Sequence, residues 1–471
     1  MIKNIKWLAI TALVIASCTK NDDPVVASVG SSDGLPLTAG SANFSKYVAL
    51  GDSFAAGFSD NALFIEGQKT SYPNIMAQQF ATVGGGAFTN PFMADNFGGF
   101  AGSATYGKRL YFTGNAASPL ALVPGASTTS ITAKLSGLFN NMGIPGAKVG
   151  DLDLPGYGSA VGNPYFTRFA SSPLATIVDD AVTQAPTFFS LFIGGNDVLG
   201  YATAGGTGAG PTTPAVFQTK YDGLITKLTA GGRQGVVGNL PYVSALPFFT
   251  TVPFNAIPLN ATQVAALMSA SAYGSYNAAV AASPLSAAEK ASRTINFVVG
   301  ANNTPVIVDE YLTNLTGFGL PSYRQATSAD YLVLSAGGAS TQGELAAGGG
   351  TATPLADKWV LSAGEAAEIK AATDAYNVTI QAAATAKGLA FADLKSKMNL
   401  LTSAAGISAN GFTLKSQFIF GGAFSLDGVH PSPRGYALIA NSFLEAINAK
   451  YGSNMAPVSF GDYRILFPAS L

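Results

Sequence analysis

The chain contains a single histidine, His430, in the run Ser425-Leu-Asp-Gly-Val-His-Pro-Ser-Pro433. Any step that needs an imidazole near neutral pH therefore falls to one residue. Asp427 stands three positions before it, a placement that suits a carboxylate orienting the ring. Near the other end, Ser53 lies in Tyr47-Val-Ala-Leu-Gly-Asp-Ser-Phe54. A serine attacks carbon only when a base takes its proton, and His430 is the one imidazole able to do so. Asp427 would hold the ring tautomer and stabilise the imidazolium as it forms. The charge that develops on an attacked carbonyl oxygen needs preorganised donors. Glycine-flanked positions suit this, because backbone N–H groups can approach closely there. Two exist, Asn141-Met-Gly-Ile-Pro-Gly146 and Gly194-Gly-Asn-Asp197, and the second adds the side-chain amide of Asn196.

Taken singly, each of these residues has a plainer reading. Gly-Asp-Ser is a good turn sequence, Asn196 suits a turn, and His430 could cap a helix. Their order along the chain argues otherwise. Gly51-Asp-Ser53, the Gly146 block, Gly194-Gly-Asn-Asp197 and Asp427-x-x-His430-Pro resemble the four ordered sequence blocks of the SGNH/GDSL hydrolase (lipase/esterase) family. The resemblance implies Ser53 as nucleophile, His430 as base and Asp427 as its partner. It implies an oxyanion hole of the Ser53 N–H, the Gly146 N–H and the Asn196 side chain. Gly146 is preferred to Gly143 by aligning the Asn-x-x-x-x-Gly frame. It also implies a flavodoxin-like three-layer α/β/α sandwich and hydrolysis without metal or cofactor. The stretches from Ser53 to Gly146 and from Asn196 to His430 are longer than in compact members of that family.

The elements that must position these residues follow from apolar patterning. Tyr47–Leu50, Thr187–Ile193, Gly235–Leu240 and Leu389–Leu394 are apolar runs of strand length. Ser71–Phe80 and 214–229 read as helices. Ser362-Ala-Gly-Glu365 is a capping box opening a helix that Gly388 ends. Ser432 and Pro433 open a last helix, with Pro433 where a missing N–H costs nothing. Strands alternating with helices predict an α/β fold with a mostly parallel sheet. Sites in such folds gather beyond the carboxyl ends of the strands. Ser53 and Asn196 both follow predicted strands, and His430 enters the last helix. Segments near 84–130, 201–213 and 245–360 break the alternation and read as insertions over that rim.

The N-terminus has its own chemistry. Lys3 and Lys6 precede an apolar stretch too short for the roughly 20 residues that span a bilayer. Ile15-Ala-Ser-Cys18 has the pattern of a bacterial lipoprotein cleavage site. The expected organisation is a signal peptide at 1–17, a flexible tether at 18–43 and one hydrolase domain at 44–471. Cys18 would be lipidated and would anchor the protein in the cell envelope, at the outer membrane. It is also the only cysteine, so no intrachain disulfide can form.

Charge is scarce and balanced, 25 basic against 26 acidic residues, with no basic cluster, which argues against a nucleic-acid partner. One histidine and one lipidated cysteine leave little to bind zinc. Asp151, Asp153, Asp179 and Asp180 lack the loop spacing of a calcium site. Gly30-Ser-Ser-Asp-Gly34 matches a Gly-x-Ser-x-Gly nucleophile elbow, but that motif has meaning only on a strand-to-helix turn. The expected substrate is a small-molecule, lipid or glycan ester. The rival readings are a carbohydrate O-deacetylase and a non-catalytic surface-binding lipoprotein on a hydrolase fold.

Overall fold

Five strands make the central sheet, and helices cover it on both faces. The strands are β1 (Tyr47–Gly51), β2 (Asn141–Gly143), β3 (Phe188–Phe192), β4 (Gln234–Gly238) and β5 (Ala390–Ala392). Every residue of β1, β2 and β3 is buried, the pattern of a parallel sheet sandwiched between helices. In this computed structural model, which describes residues 30–115, 119–337 and 343–471, the strands run in the order β5-β4-β3-β1-β2. All four pairings are parallel; β1 meets β3 with Ala49 opposite Ser190, and β2 with Leu50 opposite Met142. The one polar side chain inside β3, Ser190, is satisfied by the Tyr47 hydroxyl at 2.7 Å. The order is that of the flavodoxin-like doubly wound sheet, whose direction of winding reverses between β1 and β3.

Helices cover both faces. They are α1 (Ser53–Ala56), α2 (Tyr72–Ala81), α3 (Ile177–Thr183), α4 (Asn196–Thr203), α5 (Pro214–Thr229), α6 (Ala363–Lys387), α7 (Leu394–Leu401) and α8 (Pro433–Tyr451). On one side α2 packs on α8, with Tyr72 stacked on Phe443 at 5.0 Å. On the other α5 packs on α6, with Phe217 stacked on Tyr376 at 4.0 Å. The expected three-layer α/β/α architecture is therefore present. Ser362 and Glu365 form the capping box of α6, and Ser432 caps α8 by accepting from Gly435 N–H at 3.0 Å. Ser71 stands at the N-cap position of α2, but its hydroxyl makes no capping bond.

The 84–130 insertion packs onto the main core through Met93 and Phe100, whereas 245–360 also builds satellite cores of its own. Within 245–360 one small core gathers Ile257, Leu259, Leu267, Tyr273, Ile295, Phe297 and Val306, and a second gathers Ile307, Ala326, Leu332, Leu355 and Val360. A buried ion pair ties this region to the main domain. Arg324 grips Asp330 through two nitrogens at 2.7 Å each, and Asp330 accepts from Ala363 N–H at the start of α6.

The leader and Cys18 lie outside the described residues. The part of the expected tether that is described, from Gly30, is held against the end of α8. Ser32 N–H donates to Asn454 O, Thr38 N–H to Asn454 Oδ1 and Ser41 N–H to Tyr451 O, while Ala42 and Phe44 are buried. The glycine- and serine-rich composition of 30–43 gave no sign of this, because the backbone supplies the donors. Among the described residues no helix is long and apolar enough to cross a membrane.

Candidate active site

The end of β1 delivers Ser53. Asp52 leaves the strand as N-cap of α1, its Oδ1 accepting the Phe54 N–H at 3.0 Å, and Ser53 is the first helical residue. As an N-terminal residue it has a backbone N–H that no turn of helix satisfies. His430 arrives from the loop before α8, which is closed on itself by the Ser425 N–H donating to His430 O at 2.8 Å. The two side chains meet with His430 Nε2 2.9 Å from Ser53 Oγ. On the other side of the ring, His430 Nδ1 lies 2.8 Å from Asp427 Oδ2. An ionised carboxylate can only accept, so Nδ1 carries the ring proton and Nε2 is left to accept from the serine hydroxyl. The rings of Phe54 and Phe58 pack against the imidazole at a tilt, with centroids 5.5 and 4.6 Å from its own.

Asp427 is held by more than the histidine. Its Oδ1 accepts from the backbone N–H of Val429 and His430 and from the Ser425 hydroxyl, and its Oδ2 also accepts from Asn61 N–H. Burial works against the charged form. The His430 ring and the backbone donors of His430 and Val429 outweigh it and hold the carboxyl below its usual range. Asp60 and Asn61 have positive φ, 51° and 66°, and Asp60 N–H donates to Ser425 Oγ. This turn is thus a brace under the Asp427 loop, and the sequence reading missed it. A backbone donor leaves no side-chain signature; the one available hint is that Asp and Asn are the residues that best tolerate left-handed backbone.

The oxyanion candidates converge at the same strand ends. Ile144 N–H donates to Gly51 O at 3.0 Å, which ties the chain leaving β2 to the end of β1. Gly143 and Gly146 then separate clearly. Gly143 is buried in β2, its N–H is taken by Asn141 Oδ1, and a Cβ there would sit 2.3 Å from Ala56 N. Gly146 is exposed with φ +83°, has open space around it, and its N–H has no partner among the described residues. Asn196 opens α4 beyond β3. Its Nδ2 donates to Ala147 O at 2.9 Å, which fixes the amide and leaves its second hydrogen uncommitted among the described residues. Gly194 makes the turn before it with φ +122°, where a Cβ would meet Phe217 and Leu240 at 2.8 and 2.9 Å. All the sequence-derived site residues that are described, Ser53, Gly146, Asn196, Asp427 and His430, thus lie on one rim.

Two further groups belong to the neighbourhood. Burial pushes the Asp52 carboxyl up to about 7, against the pull of the Phe54 N–H and His430. Beside it lies a pocket of about 50 Å³ bordered by Phe54, Phe192, Val198, Leu240, Val243 and Leu246. A larger cleft of about 860 Å³ opens within the 245–360 insertion, and neither Ser53, Asn196 nor His430 lines it.

The aspartates weighed as metal ligands, and Asp197, make other bonds. Asp197 accepts the Val149 N–H at 2.8 Å, Asp153 and Asp179 both bind Lys227, and Asp180 accepts from Ser171. Among the described residues no group of three His, Cys, Asp or Glu is placed to hold a metal ion. Within Gly30–Gly34, Ser31 forms an isolated bridge to Met455 and no helix follows directly.

Comparison of the sequence with protein-family models and with curated proteins finds no match. Among solved structures the chain is similar to LAE5, an alpha/beta hydrolase enzyme from the metagenome of Lake Arreo, Spain, at 11% identity and a TM-score of 0.36, over 86% of this chain and 96% of that one. It is also similar to the extracellular lipase of Streptomyces rimosus, at 14% identity and a TM-score of 0.30, over 86% of this chain and 98% of that one.

Proposed function

We propose that this protein is a serine hydrolase of the SGNH/GDSL type that cleaves carboxylic esters through an acyl-serine intermediate. The observation that carries the reading is the continuous relay from Ser53 Oγ to His430 Nε2 and from His430 Nδ1 to Asp427 Oδ2, at 2.9 and 2.8 Å. In the first half-reaction Ser53 Oγ attacks the carbonyl carbon while its proton passes to Nε2. The carbonyl oxygen takes the negative charge, facing the N–H groups of Ser53 and Gly146 and the amide of Asn196. The tetrahedral intermediate collapses, the alcohol oxygen leaves with the proton from Nε2, and Ser53 stays acylated. A water molecule then gives a proton to Nε2 and attacks the acyl carbon. Return of that proton to Ser53 Oγ releases the acid.

The anchoring of the enzyme belongs to the same proposal. Lipid on Cys18 would place the active site in the cell envelope, at the outer membrane, and Cys18→Ser would then release the protein from the membrane fraction. The chemistry is tested by hydrolysis of simple aryl esters. Wild type should turn them over and Ser53→Ala should not; equal rates for the two proteins would dismiss the reading.

A further inference from the structure

The pocket beside Ser53 is built from the chain neighbours of the site residues themselves. Asp52 and Phe54 flank Ser53, Gly195 precedes Asn196, and Val429 precedes His430; all four line it. The rest of the wall comes from the end of β3 (Phe192), the first turns of α4 (Val198, Leu199) and the segment after β4 (Leu240, Pro241, Val243, Leu246). Its rim residues Phe54, Gly195, Leu199 and Pro241 are half-exposed, whereas Phe192, Val198, Leu240 and Leu246 are buried. The half-exposed part of the wall thus includes the chain neighbours of Ser53 and Asn196, and the rest is buried in the core. Asp52 contributes its one carboxyl, and burial drives that group toward its neutral form. An apolar occupant fits such a wall; a charged one does not.

Resting on the esterase reading, we infer that this pocket receives the acyl chain of the substrate and limits its length. An ester has two arms, and the leaving oxygen must face His430 Nε2 to take its proton. The acyl arm is then the one turned away from His430 Nε2, and Asp52, Phe54 and Gly195 place the pocket wall next to Ser53 and Asn196 in the chain. The volume of about 50 Å³ is only a few times the roughly 10–15 Å³ that admits one water, which suits a short chain of about three to five carbons. Beyond the carbonyl carbon that is a butyryl to hexanoyl chain. Two buried wall side chains, Val198 on α4 and Leu246 after β4, are placed to set that limit by their size.

The test is a series of aryl esters with one leaving group and unbranched acyl chains from acetate to palmitate. Kcat/KM should peak between butyrate and hexanoate and fall at least tenfold by decanoate. Leu246→Ala should move the peak about two carbons longer. Val198→Leu, a milder change, should move it toward acetate. A second series, with acetate fixed and the alcohol lengthened, should respond to neither variant. An unchanged acyl profile in both variants, a peak at acetate or beyond octanoate in wild type, or a shift in the alcohol series alone would overturn the assignment. Labelling of Ser53 by a fluorophosphonate keeps the two levels apart. Labelled protein with an unmoved profile rejects the pocket only, whereas unlabelled protein inert to every ester rejects the esterase reading as well.

Discussion

Asn61 and Asp427 stand 366 residues apart in the chain and meet through one hydrogen bond, from Asn61 N–H to Asp427 Oδ2 at 3.0 Å. The same oxygen faces His430 Nδ1. The orientation of the imidazole is therefore set jointly by its own loop and by the turn that follows Ser53. Asn61 has a φ of 66°, so the side chain at this position decides how easily the N–H can point where it does. Asn61→Gly should keep both activity and stability. Asn61→Val should be strained by about 1–3 kcal/mol, lowering Tm and lowering kcat more than it raises KM. Steady-state kinetics beside thermal melts check this; a valine variant with wild-type kcat would show that the brace does not position Asp427.

Removing the base or its partner separates chemistry from folding. In the proposed mechanism Ser53 and His430 act as a unit, so His430→Ala should lower kcat by roughly 10⁴- to 10⁶-fold. Asp427→Asn should cost about 10³- to 10⁴-fold, because an amide can hold the ring in the wrong tautomer. Circular dichroism and melting should stay close to wild type for His430→Ala. A kcat within tenfold of wild type in either variant would contradict the relay.

The oxyanion assignment makes a smaller and more specific demand. Asn196→Ala removes a side-chain donor whose orientation is fixed by Ala147 O, and should reduce kcat by about 10²- to 10³-fold with KM little changed. A loss carried wholly by KM would mean that Asn196 binds the ground state and not the developing charge.

Much of the architecture can be read from the chain. β1 and β3 are apolar at nearly every position because helices cover both faces, and such runs stand out without any alternation to detect. β2 does not, since Asn141-Met-Gly143 is three residues long and becomes a strand only through pairing with β1. Short α3 and α4 offer too few turns for a periodic stripe. At the site, Ser53, Asn196 and His430 are legible as residue types in their local sequence. The Asp60–Asn61 brace is invisible because it acts through backbone groups across the length of the chain. The choice of Gly146 over Gly143 needed only a frame of spacing in the sequence, whereas in the fold the distinction is physical: one N–H is spent inside the sheet and the other is open.

Two buried carboxyls near the site give the stability a definite pH dependence. Burial raises Asp52 and Asp60 from 3.8 to about 7, the first opposed by the Phe54 N–H and the second by the Leu426 N–H. In the unfolded chain they ionise near 3.8, so between that value and about 7 the folded protein binds more protons than the unfolded one. Their contribution to stability is fully present below 3.8 and is lost as pH rises through 7. Asp427 works in the opposite sense: its lowered value contributes stability above 3.8 that is lost in acid. Tm should therefore be higher near pH 5 than near pH 8. Asp52→Asn should flatten that decline, and equal slopes for the variant and wild type would remove Asp52 as its source.

The central claim is that Ser53 is the nucleophile and that His430 activates it. The most direct measurement is the rate and site of modification of the folded protein by a fluorophosphonate, followed by intact mass and peptide mapping. The account predicts a single adduct on Ser53, formed rapidly in wild type, slowed by orders of magnitude in His430→Ala and absent in Ser53→Ala. An adduct that persists in Ser53→Ala, or a folded wild-type protein that takes no label, would contradict it.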